Sequence, residues 1–199
     1  MIKIILLVVT LIISIGCSTT KPPVAEYKLS VTTLKQISSS HGCKTKSLKI
    51  SQAFSSSSLM SLKMSYVQDK HKIYSYSQAQ WNNSVNQEVT SQMLKVLRES
   101  KLFKNTQNSK SRSKSDLILE ITIDDFMQYF TENSTKSHVK VLISMALIDS
   151  KTSKVIATSN FKALNNVDSL DASGGVTALD IALGDVLIQS INYLNKVCE

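Results

Sequence analysis

The hydrophobic pattern changes period several times along the chain, and each change marks an element. Lys46-Ser47-Leu48-Lys49-Ile50-Ser51 alternates polar and apolar residues, as a half-buried strand does. After a run of serines from Ser55 to Ser58, residues 59–66 repeat the alternation, with Met60, Leu62, Met64 and Tyr66 on one side. Gln68-Asp69-Lys70 reads as a polar turn into Lys72-Ile73-Tyr74-Ser75-Tyr76, so the two runs predict a hairpin. From Trp81 to Phe103 the spacing becomes helical: Trp81, Val85, Val89, Met93, Val96 and Leu97 fall on one face. Asn82 or Asn83 is the expected cap, and Lys101 and Lys104 suit the negative pole at the helix end. Residues 105–115 read as a loop. Three alternating runs follow: 116–130 with Leu117, Leu119, Ile121 and Ile123; 137–149 with Val139, Val141, Ile143 and Met145; and 154–164 with Val155, Ala157, Ser159 and Phe161. Val176, Leu179, Leu183, Val186, Leu187, Ile191 and Leu194 complete the chain at helical spacing, with Asp171 or Ser173 as cap and an end near Val197. Strands that are neighbours in sequence favour antiparallel pairing, and two one-faced helices need a sheet face to cover. The expected fold is α+β: a two-layer sandwich, mainly antiparallel, with two amphipathic helices on one face.

The N-terminus follows another pattern. Lys3 precedes an almost unbroken apolar run, Ile4 to Ile15, that stops at Gly16-Cys17. That run is about 12 residues, against roughly 20 for a helix that spans a bilayer. A basic head, a short apolar run and small residues at its end form a secretory signal peptide. Ser14-Ile15-Gly16-Cys17 resembles the bacterial lipobox, whose cysteine is acylated, with palmitate-type chains, and becomes the first mature residue. The alternatives are an ordinary signal peptide or an uncleaved anchor with an incidental Cys17. The expected organisation is a lipoprotein signal peptide at 1–16, a lipidated tether at 17–26 and one domain at 27–199. Ser18 to Pro23 is polar and ends in two prolines, as an extended spacer does. Ser18, in place of the Asp that commonly retains lipoproteins at the inner membrane, points to the periplasmic face of the outer membrane, with the inner membrane as second choice.

Composition adds a net charge of +8, 42% hydrophobic residues and three cysteines, which together exclude a disordered chain and a disulfide-dense mini-protein. A basic balance also fits a nucleic-acid binder, but export with an N-terminal lipid leaves no nucleic acid to meet. With Cys17 acylated, Cys43 and Cys198 remain. In an oxidising compartment they are expected to form a disulfide, the alternative being two separate buried thiols. Lys101, Lys104, Lys110, Arg112 and Lys114 make a local basic patch with no acidic residue between 105 and 115. It is either a surface for anionic lipid headgroups or a solvated loop.

No pattern points to catalysis. His41, His71 and His138 are scattered, and no His/Cys cluster has the three or four ligands of a zinc centre. Asp124 and Asp125 are adjacent, so regular strand geometry would send them to opposite faces. Gly174-Gly175 stands alone before a helix, and no serine lies in a Gly-x-Ser-x-Gly elbow. The expectation is a protein that is not an enzyme, with no catalytic residue, no metal and no cofactor.

The order of elements, together with several phrases, resembles the ABC-type transport auxiliary lipoproteins, the PqiC-type family that accompanies MCE lipid-transport systems. The phrases are Tyr27-Lys28-Leu29, Leu48-Lys49-Ile50, Ile73-Tyr74-Ser75-Tyr76 leading through Gln80-Trp81 into a helix, and Asp116-Leu117-Ile118-Leu119. Val89, Met93 and Leu97 along that helix and the terminal amphipathic helix complete the match, from about Tyr27 to Leu194. Gln80 and Asn82-Asn83-Ser84 stand where members of the family often carry Arg and acidic or Pro residues. The resemblance implies a non-catalytic, lipid-anchored component that docks an MCE-domain protein and, through it, an ABC permease and ATPase. A homo-oligomeric ring around a symmetric MCE assembly is compatible with it. Trp81, at the strand-to-helix turn, is either a core plug or part of the partner surface. The runner-up is an activator or scaffold of another envelope machine, such as a peptidoglycan synthase. Such activators commonly need a long linker, and the tether here is short.

Overall fold

The structure, a computed structural model, describes residues 22–31 and 42–199. The cleavage site, Cys17 and His41 lie outside the described residues. In chain order the elements are β1 (Ala25–Tyr27), β2 (Ser47–Ile50), β3 (Phe54–Ser55), β4 (Lys63–Gln68), β5 (Lys72–Trp81), α1 (Val85–Ser100), β6 (Asn105–Asn108), β7 (Leu117–Phe130), β8 (Ser137–Asp149), β9 (Val155–Asn166) and α2 (Ala172–Val197). Among the described residues the strands join one open nine-stranded sheet, and the fold is α+β.

β7 is its spine. One edge pairs antiparallel with β8 along the whole strand, from Leu117↔Asp149 to Phe130↔Ser137, and β9 continues the meander. The other edge takes β2, β3 and β4 end to end, all parallel to it. β6 adds to β2 and β1 to β5 in parallel, while β4 and β5 form the expected antiparallel hairpin. The sheet is therefore mixed: its long ladders are antiparallel, and the short pieces along the far edge of β7 are parallel.

The alternation read in the sequence decides which face is covered. Leu119, Ile121 and Ile123 of β7 and Val139, Val141, Ile143 and Leu147 of β8 are buried under the helices with Phe161 of β9. α2 spans 26 residues and is apolar enough in composition to cross a membrane. It is instead the central core helix, with Leu183, Val186, Leu187, Ile191 and Leu194 almost fully buried. Asp171 caps it, accepting the Gly174 N–H at 2.8 Å. Residues 29–31 also belong to the helix layer: Leu29 is buried, its carbonyl accepts from Gln92 of α1 at 3.3 Å, and the Ser30 N–H donates to Asp180 of α2 at 2.9 Å.

Four expectations shift. The cap of α1 is Ser84, held by backbone geometry without a side-chain bond, while Asn83 donates to Glu88 at 2.7 Å. The loop expected at 105–115 begins with β6, because its backbone completes the edge of β2. Residues 59–62 are turn, so Met60 and Leu62 are exposed and do not share a face with buried Met64. A register shift opposite Ile148 leaves Val155 exposed, off the face of Phe161.

Candidate functional site

Cys43 and Cys198 form a disulfide, with Cα atoms 5.2 Å apart, that joins the lead-in of β2 to the end of α2. A shallow groove opens beside it, lined by Lys44, Arg98, Lys101, Phe103, Lys104 and Thr106. The local sequence explains its shape. α1 ends where Lys101 takes a left-handed backbone (φ 53°), its N–H returning to the Arg98 carbonyl, and the chain turns at once into β6. Arg98 donates from Nε to the Thr106 carbonyl at 3.1 Å, which holds the turn against the strand.

The basic patch is thereby divided. Lys101 and Lys104 share the groove with Lys44 and Arg98, which the sequence did not single out because they sit far away or on another turn of helix. Lys110 lies at a separate concavity with Gln87, Glu88 and Asn108. Arg112 and Lys114 are exposed on the loop that Lys49 fastens, donating to the Ser111 and Ser113 carbonyls at 3.2 and 2.7 Å. Asp116 offsets the groove: Ser47 donates to it from Oγ and N, each at 2.7 Å. Those bonds, with Lys46 and Lys104 nearby, hold its carboxyl below the ordinary range. The groove offers positive charge beside the apolar Leu97 and Phe103, which suits an anionic group.

Trp81 is 4% exposed and meets Phe126 edge-on at 6.2 Å, so it plugs the core and gives no surface to a partner. Asp124 and Asp125 do not diverge as regular strand geometry requires. A bulge between Ile123 and Asp125 turns both to the face away from the helices. Asp124 accepts from Ser144 Oγ, and Asp125 accepts from Lys140 Nζ at 2.8 Å and Tyr129 Oη at 2.6 Å. Burial, reinforced by the bond and charge of Asp125, pushes the Tyr129 hydroxyl well above its usual pKa. Each carboxylate is thus tied to its own partners, and His138 is stacked on Tyr129 at 5.4 Å. Among the described residues no three His, Cys, Asp or Glu side chains cluster as metal ligands.

The opposite end of β7 carries the β4–β5 hairpin. Tyr66 stacks on Tyr74 at 5.6 Å and meets Tyr76 and Phe130 at 4.7 and 5.3 Å. Tyr76 donates to buried Gln128 at 2.9 Å, and Gln128 donates to Ser137 at 2.9 Å. Burial is the main reason the Tyr76 hydroxyl lies far above its ordinary pKa. At the tip Asp69 and Lys70, in the three-residue loop between Gln68 and Lys72, both have positive φ. Ile73 and Tyr74 beyond the tip are exposed.

No family model matches the sequence, and no curated protein matches it. Solved structures do match the fold. A Xanthomonas campestris protein of the DUF330 family superposes with a TM-score of 0.75 at 14% identity, over 87% of this chain and 96% of that one. The chain shares the DUF330 fold. An uncharacterized protein of known structure superposes with a TM-score of 0.66 at 12% identity, over 86% of this chain and 99% of its own. At these identities the likeness is one of fold, and it extends over nearly the whole length of both neighbours.

Proposed function

We propose that the chain is a bacterial envelope lipoprotein, anchored through Cys17 to the periplasmic face of the outer membrane, and that it serves as a non-catalytic auxiliary component of an MCE/ABC-type lipid-transport system. The cysteines carry the reading. Cys43 and Cys198 are consumed by a disulfide, a bond that persists in oxidising compartments. Cys17 is the thiol left over, and it follows Gly16 where the apolar run of the leader stops. The DUF330 fold supports the finer assignment as far as shared architecture does, and the phrases that resemble the PqiC-type lipoproteins point the same way. The role needs a tether, a rigid body and a contact surface.

The test is crosslinking in intact cells followed by purification from membranes. Recovery of an MCE-domain protein is the expected result, and recovery of a cell-wall synthase or a secretion pore in its place sinks the transport assignment. Mass analysis of the N-terminal peptide tests the anchor independently, by the acyl mass on Cys17.

A further inference from the structure

We infer that the tip of the β4–β5 hairpin, Lys70 to Tyr74, is the part of the folded domain that rests on the membrane carrying the anchor. The inference rests on Cys17 being acylated and adds the orientation of the body, which the anchor alone leaves free.

The strand register sets the direction. β1 runs parallel to β5 with Ala25 beside Ala79 and Tyr27 beside Trp81, so the chain followed back from Ala25 heads along the β5 edge toward the hairpin tip. Cys17 precedes Ala25 by as many residues as His71 precedes Ala79. At about 3.3 Å per extended residue both spans are about 26 Å, so the tether is long enough to bring the acyl chains level with the tip and little further. Pro22 and Pro23 favour an extended course, since each fixes φ and removes an N–H. The Lys101/Lys104 groove lies by the opposite end of β7, about 40 Å from the hairpin along that strand at 3.3 Å per residue. β1 itself runs into the sheet from the hairpin side, the side away from that groove.

The tip has the chemistry of an interfacial contact. Ile73 is 61% exposed and Tyr74 43%, and because neighbours on a strand face opposite ways, an end-on hairpin presents both to one surface. Tyrosine suits that depth, with an apolar ring and a hydroxyl at headgroup level. Lys70 and Lys72 can reach phosphates, though Asp69 holds Lys72 at 3.2 Å and Glu132 on the adjoining turn offsets part of the charge. Apolar insertion therefore outweighs charge here. Gln68 donates to Ser134 at 2.8 Å, which braces the hairpin against the β7–β8 turn and stiffens the contact.

The experiment uses the full-length lipidated protein in vesicles of phosphatidylethanolamine and phosphatidylglycerol. Ile73→Cys, Tyr74→Cys and Lys104→Cys are made separately, each labelled with an environment-sensitive dye and quenched by spin-labelled lipid. The expected result is severalfold stronger quenching at positions 73 and 74 than at 104. Equal quenching at all three, or quenching at 104 alone, overturns the orientation. Mass analysis of the same samples separates the two levels: acylated Cys17 with unquenched position 73 removes the contact and leaves the anchor, whereas an unacylated Cys17 removes both.

Discussion

Gly175 and Asp180 show how single positions in the first turns of α2 carry stability. A Cβ at Gly175 would overlap the Gln128 carboxamide, which cannot swing aside without giving up Tyr76 and Ser137. Gly175→Ala is expected to cost about 1–3 kcal/mol, the usual penalty for overpacking a filled core, read as a lower urea midpoint at unchanged slope. Asp180 works the other way. Burial raises its carboxyl pKa, the Ser30 N–H opposes that shift, and the nearby Glu88 charge adds to it. A carboxyl whose folded pKa is raised holds its proton more tightly in the folded chain than in the unfolded one. Stability from this group is therefore lost as pH rises from the ordinary carboxylate range through the raised value. Asp180→Asn keeps an acceptor for Ser30 and removes the charge, so it should raise Tm near neutral pH, with the gain shrinking in acid. A gain of equal size at both pH values would contradict this origin.

At the level of elements, the disulfide joins the lead-in of the short strand β2 to the end of the core helix across a sequence separation of 155. Closing so long a loop restricts the unfolded chain by an amount worth about 5 kcal/mol in the chain-entropy model. The double variant Cys43→Ser/Cys198→Ser should lose several kcal/mol in urea titration while its circular dichroism keeps the sheet and helix signal. A loss below about 1 kcal/mol would mean that the unfolded chain is already compact near these ends. The same elements show what sequence alone reveals. β7, β8 and both helices are long enough for alternation or helical spacing to repeat, and they were legible with ends within a few residues. β1, β3 and β6 are two to four residues long and exist because β5, β7 and β2 offer them an edge, so no local pattern announces them. The groove was half legible: Lys101 and Lys104 follow the helix in sequence, whereas Lys44 arrives through the disulfide and Arg98 through the left-handed turn. The bulge that turns Asp124 and Asp125 to one face leaves no mark in the hydrophobic pattern.

For the molecule as a whole, anchor and fold are separable, because Leu29 is the first buried side chain among the described residues and lies a dozen residues after Cys17. Cys17→Ser should therefore keep the wild-type Tm and the disulfide while moving the protein from the membrane pellet to the soluble periplasmic fraction. Which membrane it leaves is a separate matter, and Ser18 is the residue that bears on it. An Asp directly after the acylated cysteine commonly retains a lipoprotein at the inner membrane, so Ser18→Asp should shift the protein from outer- to inner-membrane density on a sucrose gradient without altering acylation. Eight residues of tether cannot cross a compartment, so the density fraction also fixes which membrane the domain serves. If the wild-type protein already bands at inner-membrane density while Cys17 carries its acyl mass, the outer-membrane placement fails and the anchor stands. The partner must then be sought at the inner membrane, where the transporter's own permease would be within reach.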